Sequence, residues 1–339
     1  VHSAFIRGFD ALLYPEACLV SSRLPKPARA QPGKPLVLRP GPLRHLIAAD
    51  IALQELGRDS RDCNWLIDRR AAPWAIYRGI PHVCFDEEPL GASKKVWDRY
   101  SLVINSEQIL GLPEACALMS RADGGRLVSF ETNRGASFSD TTVPYDWRDR
   151  HETLEFGRLF ATAFDLPDVA ASRRPRPRAF PVSAPPLVVI AGLRTKSRKL
   201  SLDEWTTVIT KWHRDRPFLV TGAEEDGEFI AEVARRFPKL ATRLAGSFDE
   251  RCDQISWSEE LLAMEGSAVQ IASFFGVPTT AIFTSGRVLK WHPLGERSRV
   301  IRRHDLPCQP CEKLGQVPAC AHHYACHALA DVAPENVWQ

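Results

Sequence analysis

No apolar run in this chain approaches the ~20 residues that a helical membrane span needs. Net charge is nearly absent as well. The chain has 44 Lys and Arg against 41 Asp and Glu, a formal +3, which is too little for a dedicated nucleic-acid binder. No biased tract argues for disorder, and 44% hydrophobic with 25% charged residues is the make-up of a globular protein. The opening VHSAFIRGFDALLYPEACLV lacks a small-residue cleavage site and carries acidic residues inside its apolar pattern, so it reads as a poor secretory signal. Its apolar positions Phe5, Phe9, Leu12 and Leu13 fall at helical spacing and suit a docked helix better than an interfacial membrane helix.

What is present is more informative. A length of 339 residues exceeds one ordinary core and leads us to expect two domains. Of the nine cysteines, Cys18, Cys63, Cys84, Cys116 and Cys252 are scattered in mostly apolar surroundings, as free thiols are in a reducing compartment. A cytoplasmic setting follows. The other four, Cys308, Cys311, Cys320 and Cys326, crowd one short segment in the pattern C-x2-C-x8-C-x5-C. That spacing suits a tetrahedral structural site for zinc or iron, with His304, His322, His323 and His327 near enough to replace a ligand. Two disulfides or free thiols would also satisfy the spacing. Four protein ligands would leave no open position, so the expected role is to brace the chain end, apart from any chemistry.

Two series of alternating strands and helices run along the chain. PLVLRP, from Pro35, is a short apolar run suited to a buried parallel strand, and GPLRHLIAADIALQELG after it is a helix closed by Gly57. NWLID, HVCF, SLVIN and RLVSF are further strands, and RHETLEFGRLFATAF is the helix that ends the first series. A Pro-, Arg- and Ser-rich linker follows. The second series contains LVVIAG, a helix capped by Ser201 with Glu204 in the capping-box position, FLVTG, the helix EDGEFIAEVARRF, the helix AVQIASFFG with Gly276 at its end, and PTTAIF. The expected boundaries are an N-terminal extension at 1–34, an acceptor-side domain at 35–165, a linker at 166–185 and a nucleotide-sugar-binding domain at 186–339. Alternation of this kind predicts an α/β fold: two doubly wound Rossmann-like domains facing across a cleft, with ligands at the carboxyl ends of the strands.

Three turns carry candidate chemistry. Glu265-Gly266-Ser267 puts a carboxylate, a flexible residue and a hydroxyl at a helix start, where backbone N–H groups favour phosphate and the carboxylate can accept from ribose hydroxyls. An ordinary N-cap before a core helix would look the same. The loop Arg194, Thr195, Lys196, Ser197, Arg198, Lys199 after LVVIAG suits a diphosphate, although most charge runs are simply solvated. His45, in Gly41-Pro42-Leu43-Arg44-His45 after the first strand, has the chemistry of a general base for an acceptor hydroxyl, and a lone His is more often structural.

Taken in order, PLVLRPGPLRHLIAADIALQEL, RRAAPWAIYRG, VPYDWRDRHETLEFGRLFATAF, VVIAGLRTKSRKLSLDEW, LVTGAEEDGEFIAEVA, GSAVQIASFFGVPTTAIF, WHPLG and CQPCEKLGQVPACAHHYACHALADVAPENVW resemble glycosyltransferase family 9, the bacterial ADP-heptose:lipopolysaccharide heptosyltransferases. The resemblance implies a GT-B fold and an inverting transfer, with the donor held mainly by the C-terminal domain and no catalytic metal. It implies His45 as catalytic base and a donor site of Thr195, Arg198, Lys199, Gly222, Glu225, Glu265, Gly266, Ser267 and Gln270. The implied donor is a nucleotide-diphosphate sugar, ADP-heptose favoured. The implied acceptor is a glycan, lipopolysaccharide or a protein, with a peripheral contact at the inner face of the inner membrane and homo-oligomerisation both open. The chain departs from the family where Arg44-His45 replaces Gly-Asp, Gln270 replaces a His, and Arg198-Lys199-Leu200-Ser201 replaces Lys-Arg-Trp-Pro. These departures motivate a competing reading, a non-catalytic sugar-binding or scaffold subunit of the same fold, and the four cysteines separately motivate a weaker one, a zinc- or iron-dependent redox protein.

Overall fold

A computed structural model describes residues 33–86, 100–108, 112–132, 138–167, 186–190, 196–213, 215–243, 246–312, 317 and 319–336. The helix expected within residues 1–34, the linker and Thr195 lie outside the described residues. The chain divides into two compact units, 1–147 with 152–173, and 148–151 with 174–339.

In the first unit the elements are β1 (Leu36–Arg39), α1 (Leu43–Glu55), β2 (Asn64–Ile67), α2 (Ala72–Arg78), β3 (His82–Cys84), β4 (Tyr100–Asn105), α3 (Leu112–Ser120), β5 (Arg121–Phe130), β6 (Thr141–Val143) and α4 (Glu152–Ala163). They form a six-stranded sheet in the order β3-β2-β1-β4-β5-β6, and every pairing is parallel. β1 is buried along its whole length, as a strand covered on both faces must be. The buried run Leu46 to Leu53 seats α1 against the sheet, and α4 packs along α1. Gly57 adopts the left-handed conformation (φ 71°) just past α1. One charge is buried inside this packing. The Asp50 carboxylate accepts from Ser60 Oγ (2.6 Å), Trp74 Nε1 (3.0 Å) and Arg78 Nε (3.0 Å). Burial raises its pKa, while Arg78 and these donors oppose the rise.

The second unit comprises β7 (Leu187–Ile190), α5 (Leu202–His213), β8 (Phe218–Gly222), α6 (Gly227–Arg236), β9 (Ala241–Arg243), α7 (Phe248–Trp257), β10 (Leu261–Met264), α8 (Ser267–Phe275), β11 (Thr279–Ile282), β12 (Arg299–Ile301) and β13 (Glu335–Asn336). The sheet order is β13-β12-β11-β10-β7-β8-β9, parallel except for the edge pair β12–β13. Trp205, Phe218, Val220, Ile230, Leu262 and Met264 are core residues here. The capping box expected for α5 is made: Glu204 N–H donates to Ser201 Oγ (3.3 Å) and Ser201 N–H to the Glu204 carboxylate (2.6 Å).

Several elements of this unit escape the periodicity argument, β10 and α7 most instructively. β10, LLAM, is the strand beside β7, yet it is short and has no β-branched residue, so nothing in its pattern separates it from a helix fragment. α7 carries a complete capping box of Ser247 and Glu250, a legible signal masked by its polar composition. The segment 148–151, between β6 and α4, belongs to the second unit rather than to its sequence neighbours. His151 anchors it there, with Nε2 3.0 Å from the His292 carbonyl and the two imidazoles 4.6 Å apart. Burial, with a contribution from His292, holds the His151 pKa well below the ordinary value. The ring is therefore neutral and donates its Nε2 proton to that carbonyl.

Candidate functional site

In a doubly wound sheet the chain winds outward in one direction, returns, and winds outward in the other. The carboxyl ends of the two strands flanking the reversal leave a crevice where ligands bind. In the first sheet those strands are β1 and β4, and in the second they are β7 and β10. A cluster of charged side chains stands at each of these points.

The first cluster is built on Arg39, the last residue of β1 and only 2% exposed. Its Nη1 donates to the Ser106 carbonyl just past β4 (2.8 Å) and lies 3.5 Å from the Glu107 carboxylate. Its guanidinium lies 5.4 Å from the centre of the Phe156 ring. Gly41 (φ 154°) makes this possible, because a Cβ there would lie 2.9 Å from Arg39 Nη2. That Nη2 meets His45 Nδ1, in the first turn of α1. An arginine can only donate, so Nδ1 accepts and the proton of the neutral ring is on Nε2. Glu152 Oε1, at the start of α4, lies 3.6 Å from the same Nδ1. Glu152 is fully buried, and its carboxylate accepts from Gln108 Nε2 (3.2 Å) and Tyr145 Oη (2.8 Å). Burial, and then the Glu152 charge, raise the Tyr145 pKa, so its hydroxyl keeps its proton and donates.

The second cluster is built on Glu265, immediately after β10 and 4% exposed. Its Oε1 accepts the backbone N–H groups of Thr284 (3.2 Å), Ser285 (3.0 Å) and Gly286 (2.9 Å), in the loop after β11. Its buried Oε2 has no hydrogen-bond partner among the described residues and presses on Gly286, where a Cβ would come within 1.6 Å. Arg198 Nε stands 3.5 Å from Glu265 Oε1, and its Nη2 stands 3.4 Å from Glu312 Oε2. Thr284 Oγ1 donates to the Ser197 carbonyl (2.6 Å), tying the loop before α5 to the loop after β11.

Other expected donor residues take varied positions. Gly266 (φ 155°) stands ahead of α8 without a side-chain cap, and Ser267 opens the helix half-buried. Gln270 is 1% exposed; its Nε2 donates to the Trp291 carbonyl (3.1 Å), and its buried Oε1 has no partner among the described residues. Gly222 ends β8, and its carbonyl accepts from Arg251 Nη1 (3.1 Å). Glu225 and Lys199 are exposed. Arg198 and Glu265 are thus brought together, Gln270 is buried against the Trp291 carbonyl, and Glu265 clamps the 284–286 loop. A cavity of about 310 Å³ borders that loop, lined among others by Thr284, Gly286, Arg287, Arg302 and Gln309. This volume is within the range of small-ligand sites.

Sequence reading missed Arg39, Glu107, Glu152 and Glu312. Each is a buried charge whose partner is remote in sequence, and pattern arguments see only neighbours. It also set the cysteine segment apart from the site. Instead, Gln309 Nε2 donates to the Thr284 carbonyl, and His327 Nε2 lies 2.9 Å from the Ser197 carbonyl. Among the described residues no three His, Cys, Asp or Glu side chains converge as metal ligands. The Cys311 thiol lies 3.2 Å from the Cys308 carbonyl, and Tyr324 N–H donates to Cys320 Sγ (3.3 Å). Burial, reinforced by the neighbouring cysteines, pushes the Cys326 thiol up to about 12. A metal takes a thiol as the thiolate and releases its proton on binding.

No family model matches the sequence, and no curated protein does. Solved structures do match in fold. The glycosyl transferase family 9 structure from Veillonella parvula DSM 2008 is 13% identical, with a TM-score of 0.61 over 80% of this chain and 88% of that one. The E. coli heptosyltransferase WaaC with ADP is 12% identical, with a TM-score of 0.63 over 79% and 92%. E. coli ADP-heptose lps heptosyltransferase II is 12% identical, with a TM-score of 0.59 over 80% and 91%. At this identity the likeness shows the fold: the chain has the doubly wound α/β architecture of the GT-B class to which these structures belong.

Proposed function

We propose that the chain is an inverting glycosyltransferase. It moves a sugar, heptose or a relative, from a nucleotide-diphosphate donor to a hydroxyl of a glycan, lipopolysaccharide or protein acceptor. The observation that carries this reading is the pair of charged clusters at the switch points of the two sheets, in a fold shared with heptosyltransferase structures. The acceptor oxygen attacks the anomeric carbon as the bond to the leaving diphosphate oxygen breaks. Arg198, Lys199 and the N–H groups at the start of α8 take up the charge of the leaving group. Glu265 acts in this reading by holding Arg198 and the 284–286 loop. The acceptor proton goes to His45 Nε2. That requires the ring proton on Nδ1, where Glu152 Oε1 is the available acceptor, so Arg39 must yield its contact.

Release of nucleoside diphosphate across a panel of nucleotide sugars, ADP-heptose included, tests the reading. His45→Ala is expected to lower turnover about 100-fold or more while leaving donor affinity in place. Unchanged turnover would remove His45 from the mechanism. The second reading, a non-catalytic sugar-binding subunit, is favoured by the engagement of His45 Nδ1 with Arg39. It predicts donor binding without release. A structural zinc or iron on Cys308, Cys311, Cys320 and Cys326, homo-oligomerisation and a peripheral membrane contact are further proposals. The metal rests on spacing alone and is tested by elemental analysis of the purified protein. Among the described residues no helix is long and apolar enough to cross a membrane.

A further inference from the structure

Glu312 lies in the cysteine-rich segment, one residue after Cys311, and is 5% exposed. Its backbone N–H donates to the Ser285 carbonyl (3.0 Å), which fixes it against the loop after β11. Its Oε2 lies 3.4 Å from Arg198 Nη2. Arg198 thus stands between two carboxylates, paired electrostatically with Glu265 near Nε and hydrogen-bonded to Glu312 at Nη2, with its side chain 19% exposed. The contacts of Gln309 with Thr284 and of His327 with Ser197 keep the same segment on both loops.

A free arginine side chain loses rotamer entropy when an anion immobilises it. A guanidinium already fixed by two buried carboxylates presents its remaining N–H groups to an anion without that cost. The opposing effect is charge, since a second carboxylate beside Arg198 disfavours an anion. The two effects separate on substitution: Gln keeps the acceptor oxygen and removes the charge, whereas Ala removes both.

We propose that Glu312 is a positioning residue that orients Arg198 toward the diphosphate of the donor. The inference rests on the reading of Arg198 as a diphosphate ligand. It gives the cysteine-rich segment a part in donor binding that its cysteines do not themselves supply.

Calorimetric titration of the full chain with ADP, UDP and GDP tests it, with thermal melting to verify the fold of each variant. Glu312→Ala is expected to weaken the best-binding diphosphate about tenfold, and in an Arg198→Ala background to weaken it less than about twofold further. Glu312→Gln is expected to retain wild-type affinity or exceed it. Full additivity of Arg198→Ala and Glu312→Ala overturns the inference, as does Glu312→Ala binding like wild type while Arg198→Ala weakens. If no diphosphate binds the wild type, or Arg198→Ala has no effect, the donor reading falls and the inference falls with it.

Discussion

Gly286 has no room for a side chain. An added Cβ would lie 1.6 Å from Glu265 Oε2, and that carboxylate is held in place by three backbone N–H groups of the same loop. The glycine is needed for close approach, and its tolerance of substitution reports directly on the clamp. Gly286→Ala should destabilise the fold by about 1–3 kcal/mol and weaken donor binding, because Glu265 cannot retreat without releasing Arg198. Chemical denaturation and donor titration measure the two effects; a Gly286→Ala protein as stable as wild type would mean that the Glu265 carboxylate is not seated on this loop. His45 and Glu265 also show what a side chain's type leaves open. Both were legible as chemistry-bearing residues. The groups they meet, the Arg39 donor and the nearby Glu152 carboxylate for the first and the 284–286 backbone for the second, are set by tertiary contacts.

Among the elements, α1 carries a titration that stability should follow. Burial at its carboxyl end raises the Glu55 pKa from 4.5 to about 7, at a helix terminus where a negative charge is already unfavourable. A raised folded-state pKa makes this contribution to stability complete below about pH 4.5 and lost as pH rises through about 7. The loss is bounded at about 3 kcal/mol, and partial exposure of the side chain lowers it. Glu55→Gln should therefore leave stability unchanged at pH 4 and raise it at pH 8, as read from denaturation midpoints. Equal midpoints at pH 8 would place the Glu55 carboxylate in water. The same scale shows how the sequence was readable. β1, α1, α5 and β11 declare themselves through apolar runs, caps and closing glycines. β10 does not, since four residues without β-branching fit either regular structure. Its absence from the strand count hid the switch point at which Glu265 sits.

At the scale of the whole molecule, each sheet reverses its winding between two neighbouring strands, and at each reversal the sequence places buried or half-buried charges from distant segments: Arg39, Glu107 and Glu152 in one unit, Arg198, Glu265 and Glu312 in the other. Alternation of strands and helices made the doubly wound fold legible without any structure. The composition of the sites was not, because buried charges are stable only in pairs or networks, and their pairing spans tens to hundreds of residues. The central claim, that the second unit holds a nucleotide-diphosphate sugar through Arg198, is tested most directly by calorimetric titration of the wild-type chain and Arg198→Ala with a panel of nucleotide-diphosphate sugars. The account predicts saturable binding of at least one of them, weakened about tenfold or more by the substitution. Absence of binding across the panel, or equal affinity in the two proteins, would contradict it.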